Sequence, residues 1–153
     1  MTIETVDAGP KKVSRRAVVN APAAALFAQL ADPHQHGSID GSGTVGASTK
    51  GPSRLAQGDA FSVKMKQFGV PYTITSKVVA FEPDRVIEWK HPFGHTWRWE
   101  LEETSPGTTR VTETWDASGS PGIAFAVFSA TGVPGTNAQG IEKTLAGLQK
   151  RYG

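Results

Sequence analysis

The chain has 153 residues and no cysteine, and its 16 basic and 14 acidic residues leave a formal net charge of +2. The length predicts one domain, and the missing cysteines exclude disulfide scaffolds, thiolate metal sites and cysteine nucleophiles. The small net charge argues against a nucleic-acid binder, which depends on phosphate contacts. The aromatic residues include four tryptophans, Trp89, Trp97, Trp99 and Trp115, which cluster in one part of the sequence.

We expect residues 1–153 to form a single domain, with 1–11 as a flexible N-terminal extension. The N-terminal segment is polar and lacks the apolar core of a signal peptide. The most apolar later stretch, Gly122 to Val133, is shorter than the roughly 20 residues of a spanning helix. These features predict a cytoplasmic protein without stable membrane insertion, as a monomer or homodimer.

The first elements are a strand and a helix. Apolar residues alternate with polar ones from Lys12 to Asn20, which is typical of a strand with one buried face. Pro22 suits the first turn of a helix, and an apolar stripe follows it. The helix is expected to end at Asp32-Pro33, because the residue before a proline avoids the helical conformation.

The middle of the chain predicts a meander of strands and its end predicts a helix. Short turns separate the strands, and short connections favour antiparallel pairing. The strand candidates are Val45 to Lys50, Asp59 to Phe68, Tyr72 to Phe81, Arg85 to His91, His95 to Glu102 and Thr109 to Asp116. Thr136 and Gln139 have the spacing of a capping box at the start of the last helix. Its apolar stripe comprises Ile141, Leu145, Leu148 and Tyr152.

Turn lengths also predict the register of the strands that carry the tryptophans. Pairing His91 with His95 across the turn at Pro92–Gly94 places Trp89 opposite Trp97. The next turn keeps its apolar residues on one face only if Leu101 lies opposite Val111. That register places Trp99 opposite Glu113 and Trp97 opposite Trp115. All four tryptophans then share the inner face of the sheet. They are either part of an ordinary hydrophobic core or the lining of an amphipathic pocket, and the indole N–H groups with Glu113 nearby favour the pocket.

The order of the hairpins predicts a pocket mouth at one end of the sheet. Alternate hairpins of a meander lie at the same end, which would collect His34, His36, His91 and His95 near one rim. The apolar segment Gly122 to Val133 would lie at the same end, as a lid, a dimer contact or a simple buried helix.

Several ordered blocks give the sequence a family resemblance. They are APAAALFAQLADP, FEPDRVIEW and TRVTETWD, followed by the amphipathic C-terminal helix. Together they resemble the bacterial polyketide cyclase/dehydrase and lipid-transport proteins of the START and pollen-allergen-like (SRPBCC) superfamily. The resemblance implies an α+β helix-grip fold: a curved seven-stranded antiparallel sheet wrapped around a long C-terminal helix, with one or two short helices after the first strand. It also implies a hydrophobic cavity.

A buried carboxylate among the tryptophans is the sharpest candidate for chemistry. Glu113 on an aromatic face would have a raised pKa and could transfer protons with His95 or Tyr72. The alternatives are a structural carboxylate that accepts a hydrogen bond from a tryptophan N–H and a carboxylate at a strand end open to water. The remaining predicted ligand-binding residues are apolar, aromatic or at the rim: Met65, Phe68, Tyr72, Trp89, His91, His95, Trp97, Trp99, Trp115, Phe125, Phe128, Ile141, Leu145 and Leu148.

Two other patterns are weak. Gly41 to Gly46 matches the dinucleotide-binding glycine pattern, but no strand precedes it and no helix follows it. The histidines lack the spacing of a known zinc site. We therefore expect neither a metal nor a cofactor.

The leading hypothesis is a carrier or sensor of a small hydrophobic, ring-bearing ligand that is lipid or polyketide-like. An aromatase/cyclase-like enzyme that uses Glu113, His95 or Tyr72 in the same cavity is the alternative. A dimerising module that associates through the segment Gly122 to Val133 is a third possibility.

Overall fold

The computed structural model describes residues 3–36, 45–67, 70–92 and 94–153, without the side chains of 45–49, 65–67, 124, 125, 128 and 129. Its strands are β1 (Ile3–Val6), β2 (Lys12–Val19), β3 (Val45–Lys50), β4 (Ala60–Gln67), β5 (Val70–Glu82), β6 (Val86–Lys90), β7 (Thr96–Ser105) and β8 (Thr108–Asp116). Its helices are α1 (Ala23–Leu30), a 3-10 turn (Pro33–Gln35), α2 (Gly122–Ala130) and α3 (Val133–Tyr152).

All strands belong to one antiparallel sheet in the order β1-β2-β8-β7-β6-β5-β4-β3. The meander from β3 to β8 closes against β2, and α3 packs on β2 with further contacts to β1 and β8. The curved sheet and the long C-terminal helix confirm the expected α+β helix-grip fold.

The N-terminus differs from the expectation of a flexible extension over residues 1–11. Within it, β1 pairs with β2, with Ile3 opposite Ala17, and adds an eighth strand to the expected seven. Glu4 forms an ion pair of 2.8 Å with Arg16 on β2, and Ile3 packs against the core. Its sequence, Ile-Glu-Thr-Val, places two polar residues side by side, so apolar and polar residues do not alternate in it.

The predicted register of the tryptophan strands is confirmed. Trp89 lies opposite Trp97, and Trp97 lies opposite Trp115. Leu101 lies opposite Val111, and Trp99 lies opposite Glu113. Because side chains alternate between faces, this register places the four tryptophans and Glu113 on the inner face, towards the core.

The last helix begins earlier than the capping-box pattern predicts. Thr136 is not the N-cap, because its amide N–H donates to the carbonyl oxygen of Gly132 inside the first turn. Gly132 has φ of +75°, a left-handed conformation that glycine adopts without a side-chain penalty, and Pro134 occupies the first turn. The stripe of Ile141, Leu145 and Leu148 is buried as expected.

Candidate functional site

The inner face of β6, β7 and β8 forms an aromatic wall, defined by Trp89, Trp97, Trp99 and Trp115. Its members differ in depth. Trp99 and Trp115 are 3% and 1% exposed, whereas Trp89 and Trp97 are only partly buried. The wall therefore has a deep part inside the core and a shallower part towards the rim.

Glu113 lies in the deep part of the wall, on β8 between two neighbouring strands. Trp99 of β7 lies opposite it on one side and Arg15 of β2 lies opposite it on the other. Its side chain is 7% exposed. A carboxyl group in such surroundings is rare unless it has a partner or a function.

Arg15 is an inward polar residue that the sequence analysis missed. Its Nε donates to Glu142 Oε1 on α3 at 3.0 Å, and its Nη1 donates to the carbonyl oxygen of Ser14. The alternation of Val13, Arg15 and Ala17 contains the signal, because Val13 and Ala17 face the core and Arg15 lies between them. Arg15 ties the C-terminal helix to the sheet next to Glu113.

The deep wall contains an unsatisfied donor. Trp99 Nε1 is buried, and it has no hydrogen-bond acceptor among the residues that the structure describes. Glu113 therefore does not accept a hydrogen bond from Trp99. The alternative of a structural carboxylate bonded to a tryptophan N–H does not hold for this pair. Buried indole N–H groups usually have a partner.

The rim of the wall holds two stacked histidines. The rings of His91 and His95 lie 4.2 Å apart, and the His95 ring lies 5.7 Å from that of Trp115. Burial lowers the pKa of His95 to about 4, with a further contribution from the nearby charge of His91. Burial also lowers the pKa of His91. Both rings are therefore predominantly neutral near pH 7.

The other two histidines lie apart from this stack. His36 is buried, stacks on Trp89 at 4.8 Å, and its Nε2 lies 2.8 Å from the carbonyl oxygen of Leu30. The exposed His34 ring bonds to the carbonyl oxygen of Gly51. Within the described parts of the chain, no group of three or more His, Asp or Glu residues is arranged to hold a metal ion.

Comparisons with known proteins agree with this architecture. A family model described as polyketide cyclase/dehydrase and lipid transport matches residues 10–153. The chain belongs to this family. It is also 53% identical to an uncharacterized protein of Mycobacterium tuberculosis, Rv0088, over 99% of this chain and 69% of the relative.

Solved structures share the fold of this family member at low sequence identity. A Rhodobacter sphaeroides protein has a TM-score of 0.72 at 16% identity, covering 98% of this chain and 97% of that one. The Mycobacterium smegmatis protein Ms6760 has a TM-score of 0.68 at 16% identity, with 98% and 95% covered. At this identity the likeness establishes the fold and nothing more.

The structure places the remaining predicted site residues at different distances from Glu113. Tyr72 lies half-buried on the inner face of β5, with β6 and β7 between it and β8. Because each strand spacing is about 4.8 Å, some 14 Å of sheet separates their strands. Ile141, Leu145 and Leu148 lie on the buried side of α3. Phe68 and the side chains of Met65, Phe125 and Phe128 lie outside the described residues.

Helix α2 is exposed along its described side chains. Ile123 is 80% exposed and Val127 is also exposed, so the interpretation of this segment as a simple buried helix is wrong for these residues. The readings as a lid or a dimer contact stay predictions. No helix in the described ranges combines the length and hydropathy needed to cross a membrane.

The loop before α2 meets the rim hairpin at two glycines. A Cβ on Gly94 would lie 2.8 Å from the carbonyl oxygen of Gly119, and a Cβ on Gly119 would lie 2.9 Å from that of Gly94. Both distances are too short for any side chain. Gly94 also has φ of +96°. The hairpin that carries His91 and His95 is thus fixed against the approach to α2.

A separate open cleft of about 420 Å³ lies beside the β5–β6 turn. Its lining includes Asp84, Arg85, Glu100, Glu102 and Arg110. Such a charged lining does not suit an apolar ligand. The aromatic wall is the better candidate site.

Proposed function

We propose that the protein binds a small hydrophobic, ring-bearing ligand, lipid or polyketide-like, against the aromatic wall. The single observation that carries this proposal is the alignment of all four tryptophans on one inner face. Tryptophan offers a large flat surface for stacking, and aromatic pairs contribute about 0.5–1.5 kcal/mol beyond the burial of their area. A family described by polyketide and lipid chemistry supports the same ligand class.

The gradient of burial along the wall supports entry from the rim. Trp89 and Trp97 are partly exposed, whereas Trp99 and Trp115 are covered by the core. The His95 ring of the rim lies 6.5 Å from Trp97 and 5.7 Å from Trp115. A ligand that enters at the rim meets aromatic surface first. It reaches the deep wall when core side chains move apart.

Intrinsic fluorescence tests the proposal directly, because all four tryptophans of the chain belong to the wall. Titration with 1-tetralone, tetralin and oleate should give saturable changes in the emission of the protein. N-acetyltryptophanamide, titrated in parallel, corrects for absorption by the ligand. Absence of a saturable change with every ligand would overturn the proposal.

A pair of variants locates the binding face. Trp97→Ala should weaken binding about tenfold or more, because it removes stacking surface at the rim. Val18→Ala changes an exposed apolar residue on the outer face of β2 and serves as the control. Equal weakening by both variants, measured by calorimetry, would contradict binding at the wall.

The buried position of Glu113 favours a second candidate, an aromatase/cyclase-like enzyme in the same cavity. There Glu113 would transfer protons, with His95 at the rim and Tyr72 on β5 as the other candidates. Glu113→Gln should abolish turnover of a polyketide-like substrate and leave its binding largely intact. Unchanged turnover in this variant would remove Glu113 from the mechanism.

A further inference from the structure

The unsatisfied indole N–H of Trp99 is the starting point. Trp99 is 3% exposed, and its Nε1 has no acceptor among the described residues. Leaving a buried donor unpaired costs about 1–3 kcal/mol. A group that supplies an acceptor here regains much of that free energy on binding.

The surroundings of Trp99 restrict the acceptor that can reach it. Trp99 lies opposite Ile87 on β6 and opposite Glu113 on β8, on the inner face. Ile87 is fully buried and Glu113 is 7% exposed. Transfer of a charged group into such surroundings is far more costly than transfer of a neutral polar one. A neutral oxygen, such as that of a ketone or a phenol, fits the position best.

We propose that Trp99 Nε1 donates a hydrogen bond to a neutral oxygen on the ring of the ligand, so that the site selects oxygen-bearing ring compounds over the corresponding hydrocarbons. This inference rests on the proposed function and adds a substrate class to it. The aromatic wall supplies the affinity for rings, and Trp99 supplies the selection among them. Trp99 is the specificity-determining residue of the site.

The matched ligands 1-tetralone and tetralin test this selection, because they share a fused ring system and differ in a carbonyl group. The quantity measured in each protein is the ratio of the affinities for the two ligands. The difference in hydration between the ligands is the same for every protein, so it cancels when the ratios of two variants are compared. Trp99→Phe retains an aromatic ring and deletes the N–H. It should shift this ratio towards tetralin by about two- to tenfold, as loss of one hydrogen bond predicts.

Val18→Ala is the control, because it changes an exposed apolar residue on the outer face of β2, outside the wall. Its affinity ratio should equal that of the wild type. A tetralin affinity of Trp99→Phe within about twofold of the wild type shows that the apolar part of the site is intact. An unchanged ratio in Trp99→Phe would overturn the inference.

Nuclear magnetic resonance detects the indole N–H groups of the wild-type protein, so this observation does not depend on whether Trp99→Phe folds. The four tryptophans give four indole N–H signals, and ¹⁵N-labelled single variants assign them. If Trp99→Phe fails to fold, Trp89→Phe and Trp97→Phe together with contacts to Ile87 assign the Trp99 signal. That signal should move downfield with tetralone and much less with tetralin.

The outcomes separate the two proposals. Binding of both ligands without movement of the Trp99 signal overturns the inference and leaves the binding function standing. If neither ligand binds at concentrations up to its solubility limit, both the proposed binding function and the inference about Trp99 are contradicted. Movement of the Trp99 signal with tetralone, together with the shifted ratio, supports both.

Discussion

The two faces of strands β6, β7 and β8 differ in how their polar side-chain groups are hydrogen-bonded. On the outer face, Arg98 donates from Nη1 to Glu88 and from Nε to Glu100, each at 2.9 Å. On the inner face, Trp99 follows Arg98 directly and has a buried N–H without an acceptor among the described residues. Adjacent residues thus differ completely in how their polar groups are satisfied.

This difference is consistent with the binding proposed for the inner face. The ion pairs of the outer face are complete within the protein, and because their side chains are partly exposed to water they contribute small energies. The inner face combines large buried side chains with one buried donor, Trp99 Nε1, that has no acceptor among the described residues. Such an arrangement is expected where a ligand completes the set of contacts.

The largest loss of stability is expected from a substitution on the inner face. Trp99→Ala should lower the free energy of unfolding by about 3–5 kcal/mol, because it removes a buried indole and leaves a cavity. Arg98→Ala, the neighbouring residue on the outer face, should lower it by about 0–1 kcal/mol. Urea denaturation measures both values. Similar losses in the two variants would show that the faces do not differ as described.

A second comparison, between a buried and an exposed isoleucine, concerns the helices α3 and α2. Ile141 on α3 is 2% exposed, whereas Ile123 on α2 is 80% exposed. Ile141→Ala should destabilise the protein by about 2–5 kcal/mol. Ile123→Ala should stay within about 0.5 kcal/mol of the wild type.

The same chemical change at both positions makes the test independent of side-chain type. Thermal denaturation across a range of protein concentrations provides the measurement. A large, concentration-dependent loss from Ile123→Ala would mean that α2 is covered by a second copy of the chain.

A third effect concerns the rim and appears as a pH dependence. The pKa of His95 is about 4 in the folded protein, with burial as the main cause, against an ordinary value of 6.5. Between these values the unfolded chain binds more protons, so stability falls as the pH falls from about 6.5 to 4. One such proton contributes a slope of up to about 1.4 kcal/mol per pH unit.

Urea denaturation at several pH values measures this slope in the wild type and in two variants. His95→Gln should flatten it. His34→Gln, which changes an exposed ring outside the stack, is the control. A parallel decline in the wild type and His95→Gln would show that other groups cause the acid sensitivity.

Much of the wall could be predicted from sequence, because turn length and alternation together fix which residues face each other. One apolar pair, Leu101 and Val111, decided the β7–β8 register, and the positions of Trp97, Trp99 and Glu113 followed from it. Long, strongly alternating strands with short turns leave few alternative registers.

Other features depended on contacts between distant parts of the chain. Strand β1 is held by pairing with β2 and by the Glu4–Arg16 ion pair, neither of which a four-residue pattern reveals. The inward position of Arg15 makes sense only with Glu142 of α3 beside it. Of the histidines expected near one rim, His91 and His95 stack on each other and His36 stacks on Trp89.

The contact between Gly94 and Gly119 couples two positions that are distant in the sequence, so a substitution at either one disturbs the same part of the structure. A methyl group at either glycine would collide with the carbonyl oxygen of the other, so neither residue can compensate for a change in its partner. Any substitution must move the β6–β7 hairpin and the loop before α2 together. Sequence drift at these sites would therefore alter the rim of the wall and the position of α2 in one step.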